Sequence, residues 1–179
     1  MGADSYEQFI EGASVILTYP AILLPVLALG LLLSLWHPEG LPSVWPIFLA
    51  GQVLGIFAAV AIGPEALVAF IGLGVGTAAL AALVSPVPRV AAYGLAGLTG
   101  CGALSVALEG HGLFELPVFT HLGLLFGTNL AVAMGAGLAR LVLVRFDAGW
   151  VRIGVRVAAS WIGAILLLVL AFALSGGVS

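Results

Sequence analysis

Long apolar runs with almost no charge constrain this chain more than any other feature. Of its 179 residues, 63% are hydrophobic, 7% are charged and none is lysine, and the mean hydropathy is +1.28. Soluble domains carry about 25% charged residues. A sequence this apolar is stable only where lipid covers most of its surface. We therefore expect an integral membrane protein, with the lipid bilayer as its main environment.

Six apolar stretches are long enough to cross a bilayer, which takes roughly 20 residues as a helix. They cover residues 13–36, 44–62, 66–84, 90–108, 119–144 and 153–174. Turn-forming or charged residues separate them. The sequence therefore predicts an all-α, polytopic bundle of six transmembrane helices, forming a single domain over residues 1–179. No basic residue precedes the first stretch, so we expect a retained span and not a cleaved signal peptide.

Arginine placement predicts the orientation. All the basic residues lie in or beside the third and fifth connections of a six-span chain: Arg89, Arg140, Arg145, Arg152 and Arg156. These connections share one face, which the positive-inside rule makes cytoplasmic. Both termini then lie outside (N-out/C-out), and we expect a bacterial inner membrane.

Aromatic and basic residues near the span ends are typical of membrane anchors. Trp36, Trp45, Trp150 and Trp161 all lie near predicted span ends, as in an interfacial belt. Arg145, Asp147, Arg152 and Arg156 cluster beside Trp150. Contact with lipid headgroups is the expected role of Arg145, Arg152, Arg156 and Trp150. Contact with a neighbouring subunit or an acidic cytoplasmic partner is the alternative.

Small and polar residues within the spans predict helix packing. Gly72 with Gly76, and Gly123 with Gly127, form GxxxG pairs, which allow close backbone contact in lipid. Gln52 and Asn129 are the strongest hydrogen-bonding side chains at membrane depth, and we expect them to hold helices together.

Two prolines, Pro20 and Pro25, predict a bend in the first span. A broken helix can line a substrate site, and it can equally be a kink that improves packing.

Several segments resemble the HupE/UreJ family of nickel permeases. They are "GASVILTYPAILLPVLALGL", "WPIFLAGQVLG", "EGHGLFELP" followed by "LLFGTNLAVAMGAGLA", and "RIGVRVAASWIGAILLLVLA". The resemblance covers nearly the whole chain and implies six spans with both termini outside.

The expected metal ligands of that family are missing. The family's first span carries the signature HPxxGxDH. In the matching register this chain has Val15 in place of the first histidine, and Ala21 and Ile22 in place of the Asp-His pair. Val132 stands at the histidine of the fifth span, and the histidine-rich loop keeps only His111. Aliphatic side chains cannot coordinate nickel, which binds imidazole and carboxylate. The resemblance thus implies a family member without the metal site.

Two functions follow as hypotheses. The first is a non-catalytic accessory or structural subunit that binds other membrane protein subunits, because the ligands are lost and the span number is kept. The alternative is a permease for a divalent metal, nickel or cobalt, or another small solute, with a reduced outer-face site. That site would comprise Glu65, Glu109, His111, Glu115 and His121.

Other classes are excluded by absent chemistry. No span contains aspartate, and the chain has no HExxH motif, so we expect no enzyme activity and no catalytic residue. No cofactor is expected. A net charge of −3 without a basic soluble surface argues against nucleic-acid binding.

Overall fold

The structure, a computed structural model, describes residues 3–36, 40–83, 87–112, 115–146 and 148–175. All regular secondary structure in those ranges is helical, as predicted. The helices are α1 (Ala3–Thr18), α2 (Pro20–Leu35), α3 (Gly40–Ala58), α4 (Glu65–Leu83), α5 (Arg89–Ala107), α6 (Val118–Arg145) and α7 (Gly149–Ser175). Helices α3 to α7 are each long and apolar enough to cross a membrane, and α1 with α2 makes a sixth crossing if the two form one span.

The first predicted span is two helices. Helix α1 begins at Ala3 and not near residue 13, and it ends at Thr18. Tyr19 is extended (φ −93°, ψ 103°), as residues before proline tend to be, and Pro20 then occupies the first turn of α2. The two helices meet at 73°. The predicted bend is present, and Pro20 causes it, because Pro25 lies inside α2 without ending it.

The other five helices lie close to their predicted spans. Each end of α3 to α7 falls within about four residues of the expected boundary, with the largest differences at both ends of α3 and at the start of α7. Hydropathy alone locates these helices because their apolar runs are continuous.

Helix α6 runs beside α1 and α2 in the same direction as both. Backbone of Phe9 and Ala13 on α1 lies against Gly123 and Gly127 of α6. Further along, Leu27 and Gly30 of α2 lie against residues 135–136 of α6. The broken helix thus follows α6 over most of its length.

The remaining close pairs have equally clear directions. Helix α3 is parallel to α5, since Gly51 lies against Gly97 and Gly55 against Cys101. Helix α4 is parallel to α2 and antiparallel to α7, with Gly74 between Pro25 and Leu166. The carboxyl ends of α2, α4 and α6 therefore meet the amino ends of α5 and α7. All five arginines belong to segments at this end of the bundle, which we call the arginine end.

Two of the four tryptophans are not in an interfacial belt, which corrects the sequence prediction. Trp36 is only 5% exposed and packs edge-on against Tyr93, with the ring centroids 6.1 Å apart. Trp45 is half-buried and makes a hydrogen bond inside the bundle. Trp150 and Trp161 are 68% and 70% exposed. Of these two, Trp150 lies at the end of α7, whereas Trp161 is about 18 Å along the helix from Gly149.

Candidate functional site

A hydrogen-bonded chain of three side chains joins α3 to α6 inside the bundle. The Trp45 indole Nε1 donates to Asn129 Oδ1 at 3.0 Å. The Asn129 amide Nδ2 donates to Gln52 Oε1 at 2.9 Å and to the carbonyl oxygen of Leu125 at 2.8 Å. Gln52 is fully buried. Both amides that the sequence singled out are therefore in one network, and Trp45 is a third member that the sequence did not indicate.

The donors and acceptors of this network fix its orientation. An indole nitrogen can only donate, so Asn129 must present its oxygen to Trp45 and its nitrogen to Gln52. Gln52 must then turn its oxygen toward Asn129. Its own Nε2 is left buried with no hydrogen-bond partner among the described residues.

Other hydroxyls at membrane depth bond to their own helices. Thr77 Oγ1 donates to the Leu73 carbonyl and Thr128 Oγ1 to the Leu124 carbonyl, both at 2.8 Å. Ser105 Oγ donates to the Gly102 carbonyl at 3.2 Å. In each of these hydroxyls the O–H proton is used within the residue's own helix.

The predicted glycine pairs have different environments. A Cβ at Gly123 would meet the Ala13 nitrogen at 2.9 Å, and one at Gly127 would meet the Ala13 oxygen at the same distance. This pair lies in the contact between α6 and α1. Gly72 and Gly76 require correction, because a Cβ at either would have no atom of the described residues within 4 Å. Neither glycine is therefore a point of close backbone approach within the described part of the chain.

The five residues of the alternative metal site do not form a ligand cluster. His111 Nδ1 lies 3.1 Å from the Glu109 carbonyl, and His121 Nδ1 lies 3.1 Å from the Pro117 carbonyl. Glu115 Oε2 accepts from the Gly112 amide at 2.7 Å, and Glu65 is exposed at the start of α4. Among the described residues, no three His, Cys, Asp or Glu side chains lie together as metal ligands would.

The positions where the resemblance expects first-span and fifth-span ligands are packed with aliphatic side chains. Ile22 and Val132 are 2% and 0% exposed, and both belong to one hydrophobic core, against which Val15 packs. Ala21 is buried in a neighbouring core with Ile71 and Leu166. Such a core has no ligand for a divalent cation.

The predicted anchor residues lie at the arginine end with unequal exposure. Arg145 and Arg152 are exposed, and the Arg145 guanidinium carbon lies 5.9 Å from the centroid of the Phe146 ring. Arg156 is half-buried, and its Nε is buried without a hydrogen-bond partner in the described structure. Asp147 lies outside the described residues.

A cavity at the arginine end was not indicated by the sequence. It has a volume of about 650 Å³ and lies between α2, α6 and α7, with Arg140 and Arg152 in its wall. Arg140 and Arg152 lie close to the short connection between α6 and α7, and both helices pack on α2, whose Ser34 and Leu35 also line the cavity.

No protein-family model, curated protein or solved structure matches this chain.

Proposed function

We propose that this protein is a six-span, N-out/C-out membrane protein of the HupE/UreJ type that has lost the metal site. In this proposal it acts as a non-catalytic accessory subunit of a larger complex in the bacterial inner membrane. The aliphatic packing at the positions of the expected ligands is the observation that carries the proposal.

Six spans follow if α1 and α2 cross the membrane together. Both run beside α6 in its direction, which is the relation expected between a first and a fifth span. The parallel pair α3 and α5 and the antiparallel pair α4 and α7 also agree with strict alternation. The arginine end is cytoplasmic under the positive-inside rule.

Loss of transport follows from the filled interior. A transported divalent cation needs ligands at membrane depth, and charged or imidazole groups there normally mark the pathway. Ile22 and Val132 belong to one buried core and Val15 packs against it, and all three side chains are aliphatic. The described residues also hold no outer cluster of metal ligands, so no observation favours the permease alternative.

Helix α4 has a face suited to a partner helix. Gly72 is half-buried and Gly76 exposed; they are one turn apart on that face, and a Cβ at either would meet no described atom within 4 Å. Ala69 and Ala79 continue the same exposed face. Small residues in lipid-facing positions allow another helix to approach closely enough for backbone contact. We place the subunit contact on this face.

Native purification from the protein's own membrane in a mild detergent tests the proposal. Mass spectrometry of the intact assembly should find a different membrane protein in fixed stoichiometry. Gly72→Leu with Gly76→Leu should release that partner, because the larger side chains block close approach. Gly94→Leu is the matched control, since Gly94 is also an open helical glycine.

Recovery of the protein as a monomer, or as copies of itself only, would overturn the proposal. A partner that the Gly72→Leu, Gly76→Leu variant retains as fully as the control does would exclude the α4 face as the contact and leave the accessory role standing.

A further inference from the structure

We propose that the protein binds one anionic phospholipid in a composite site between α2, α6 and α7 at the arginine end. The phosphate would lie in the cavity between Arg140 and Arg152, and an acyl chain would lie in the adjoining apolar groove. This binding site is separate from the α4 face and does not depend on the proposed accessory role.

The headgroup part of the site is the cavity of about 650 Å³, which is large enough for a phosphoglycerol group. Arg140 on α6 and Arg152 on α7 enter its wall from two helices, and Ser34 of α2 adds a hydroxyl. Arginine presents several N–H donors in a fixed plane and so matches phosphate oxygens.

Neither arginine has a charge partner in the described part of the chain. No hydrogen bond or ion pair involves Arg140 or Arg152 there. Two positive charges beside one cavity attract an anion strongly at a membrane surface, where the local dielectric constant is below that of water. The wall of the cavity thus supplies charge that an anionic headgroup would neutralise.

The acyl part of the site is a groove of about 480 Å³ on the membrane face of the same three helices. Its walls include Leu27 and Leu31 of α2, Leu138 and Val142 of α6, and Trp150 and Val155 of α7. From Val151 to Ile162 it follows α7 for about 16 Å, at 1.5 Å per residue. That length accommodates much of one acyl chain.

The cavity and the groove share a floor. Leu35, Ala139 and Val155 form one small core, with Leu31 and Leu143 packed against it. Leu35 and Leu143 line the cavity, whereas Leu31, Ala139 and Val155 line the groove. A polar pocket that continues into an apolar groove matches a phospholipid, whereas a free phosphate would use only the pocket. Basic pockets between transmembrane helices bind anionic lipids in other membrane proteins.

Thermal unfolding of the delipidated protein in detergent, with defined additions, tests the inference. Phosphatidylglycerol should raise the midpoint by several degrees, and phosphatidylcholine or inorganic phosphate at the same concentration should not. Arg140→Gln with Arg152→Gln should abolish the difference between the two lipids. Arg145→Gln is the matched control, because Arg145 is at the same end and does not line the cavity.

A second variant tests the groove. Gly154 lines it, and a Cβ there meets nothing described within 4 Å, so Gly154→Leu should fold and occupy the groove. We expect this variant to lose the phosphatidylglycerol shift while keeping both arginines. Equal shifts with both lipids would overturn the inference. So would a shift with inorganic phosphate alone, which would indicate a free-anion site, or a loss in Arg145→Gln as large as in the cavity variant.

Discussion

Asn129 donates to Gln52 at 2.9 Å, and this bond leaves the Gln52 nitrogen without a partner among the described residues. The two amides therefore have unequal importance. Asn129 makes hydrogen bonds to Trp45, Gln52 and its own helix, whereas Gln52 makes one side-chain hydrogen bond there. The unequal bonding leads to a prediction about stability.

Asn129→Leu should destabilise the protein more than Gln52→Met does. The first change leaves the Trp45 indole and the Gln52 carbonyl unpaired, at about 1–3 kcal/mol for each buried group. The second removes a buried amide that already lacks one partner, so we expect a cost of about 1 kcal/mol or less. Unfolding experiments in detergent give the change in the free energy of unfolding for both variants. A larger loss of stability for Gln52→Met than for Asn129→Leu would contradict the network.

Gly55→Ala should destabilise the contact between α3 and α5. A Cβ at Gly55 would collide with backbone of Cys101, including its Cα at 3.1 Å, and backbone cannot turn aside as a side chain can. We expect a loss of about 1–3 kcal/mol, as for other overpacked sites. Gly94→Ala on α5 is the control, and it should be neutral or stabilising because alanine favours helices and Gly94 is open. Equal unfolding midpoints for the two variants would contradict this packing.

The sequence predicts which polar side chains need partners inside the membrane, whereas only the packing of the helices decides which residues meet. Gln52 and Asn129 could be singled out because two amides at membrane depth need partners in lipid. Trp45 could not, since a tryptophan near a span end is more typical of the interface. Gly72 and Gly123 have the same GxxxG spacing in the sequence, and only the rotation of each helix decides which pair meets a neighbour. The first ten residues of α1, almost three turns, were missed because Asp4, Glu7 and Glu11 lower the local hydropathy.

Trp36→Ala should lower the free energy of unfolding far more than Trp161→Ala does. Trp36 is buried against Tyr93, and loss of a buried tryptophan typically costs about 3–5 kcal/mol. Trp161 is 70% exposed on α7, so its loss removes little packing within the chain. Unfolding midpoints in the same detergent compare the two. A Trp161→Ala variant at least as unstable as Trp36→Ala would show that α7 packs differently.

Divalent metals should leave the unfolding midpoint unchanged. Glu65, Glu109, His111, Glu115 and His121 form no ligand cluster among the described residues, and a single exposed imidazole binds a metal only weakly. We expect no saturable shift with nickel, cobalt, zinc or copper. A saturable shift that disappears in the His111→Ala, His121→Ala double variant would contradict this and restore the permease hypothesis.

Single cysteines placed at the two ends of the bundle test the proposed topology. In a Cys101→Ala background, an impermeant maleimide should label Asp4→Cys and Glu109→Cys on intact cells. It should label Arg145→Cys only after the membrane is opened, because the arginine end is cytoplasmic in our proposal. If Asp4→Cys, like Arg145→Cys, is labelled only after the membrane is opened, the amino terminus lies at the arginine end. In that case α1 and α2 form a re-entrant pair, and five spans remain. Labelling of Arg145→Cys alone on intact cells would reverse the orientation while keeping all six.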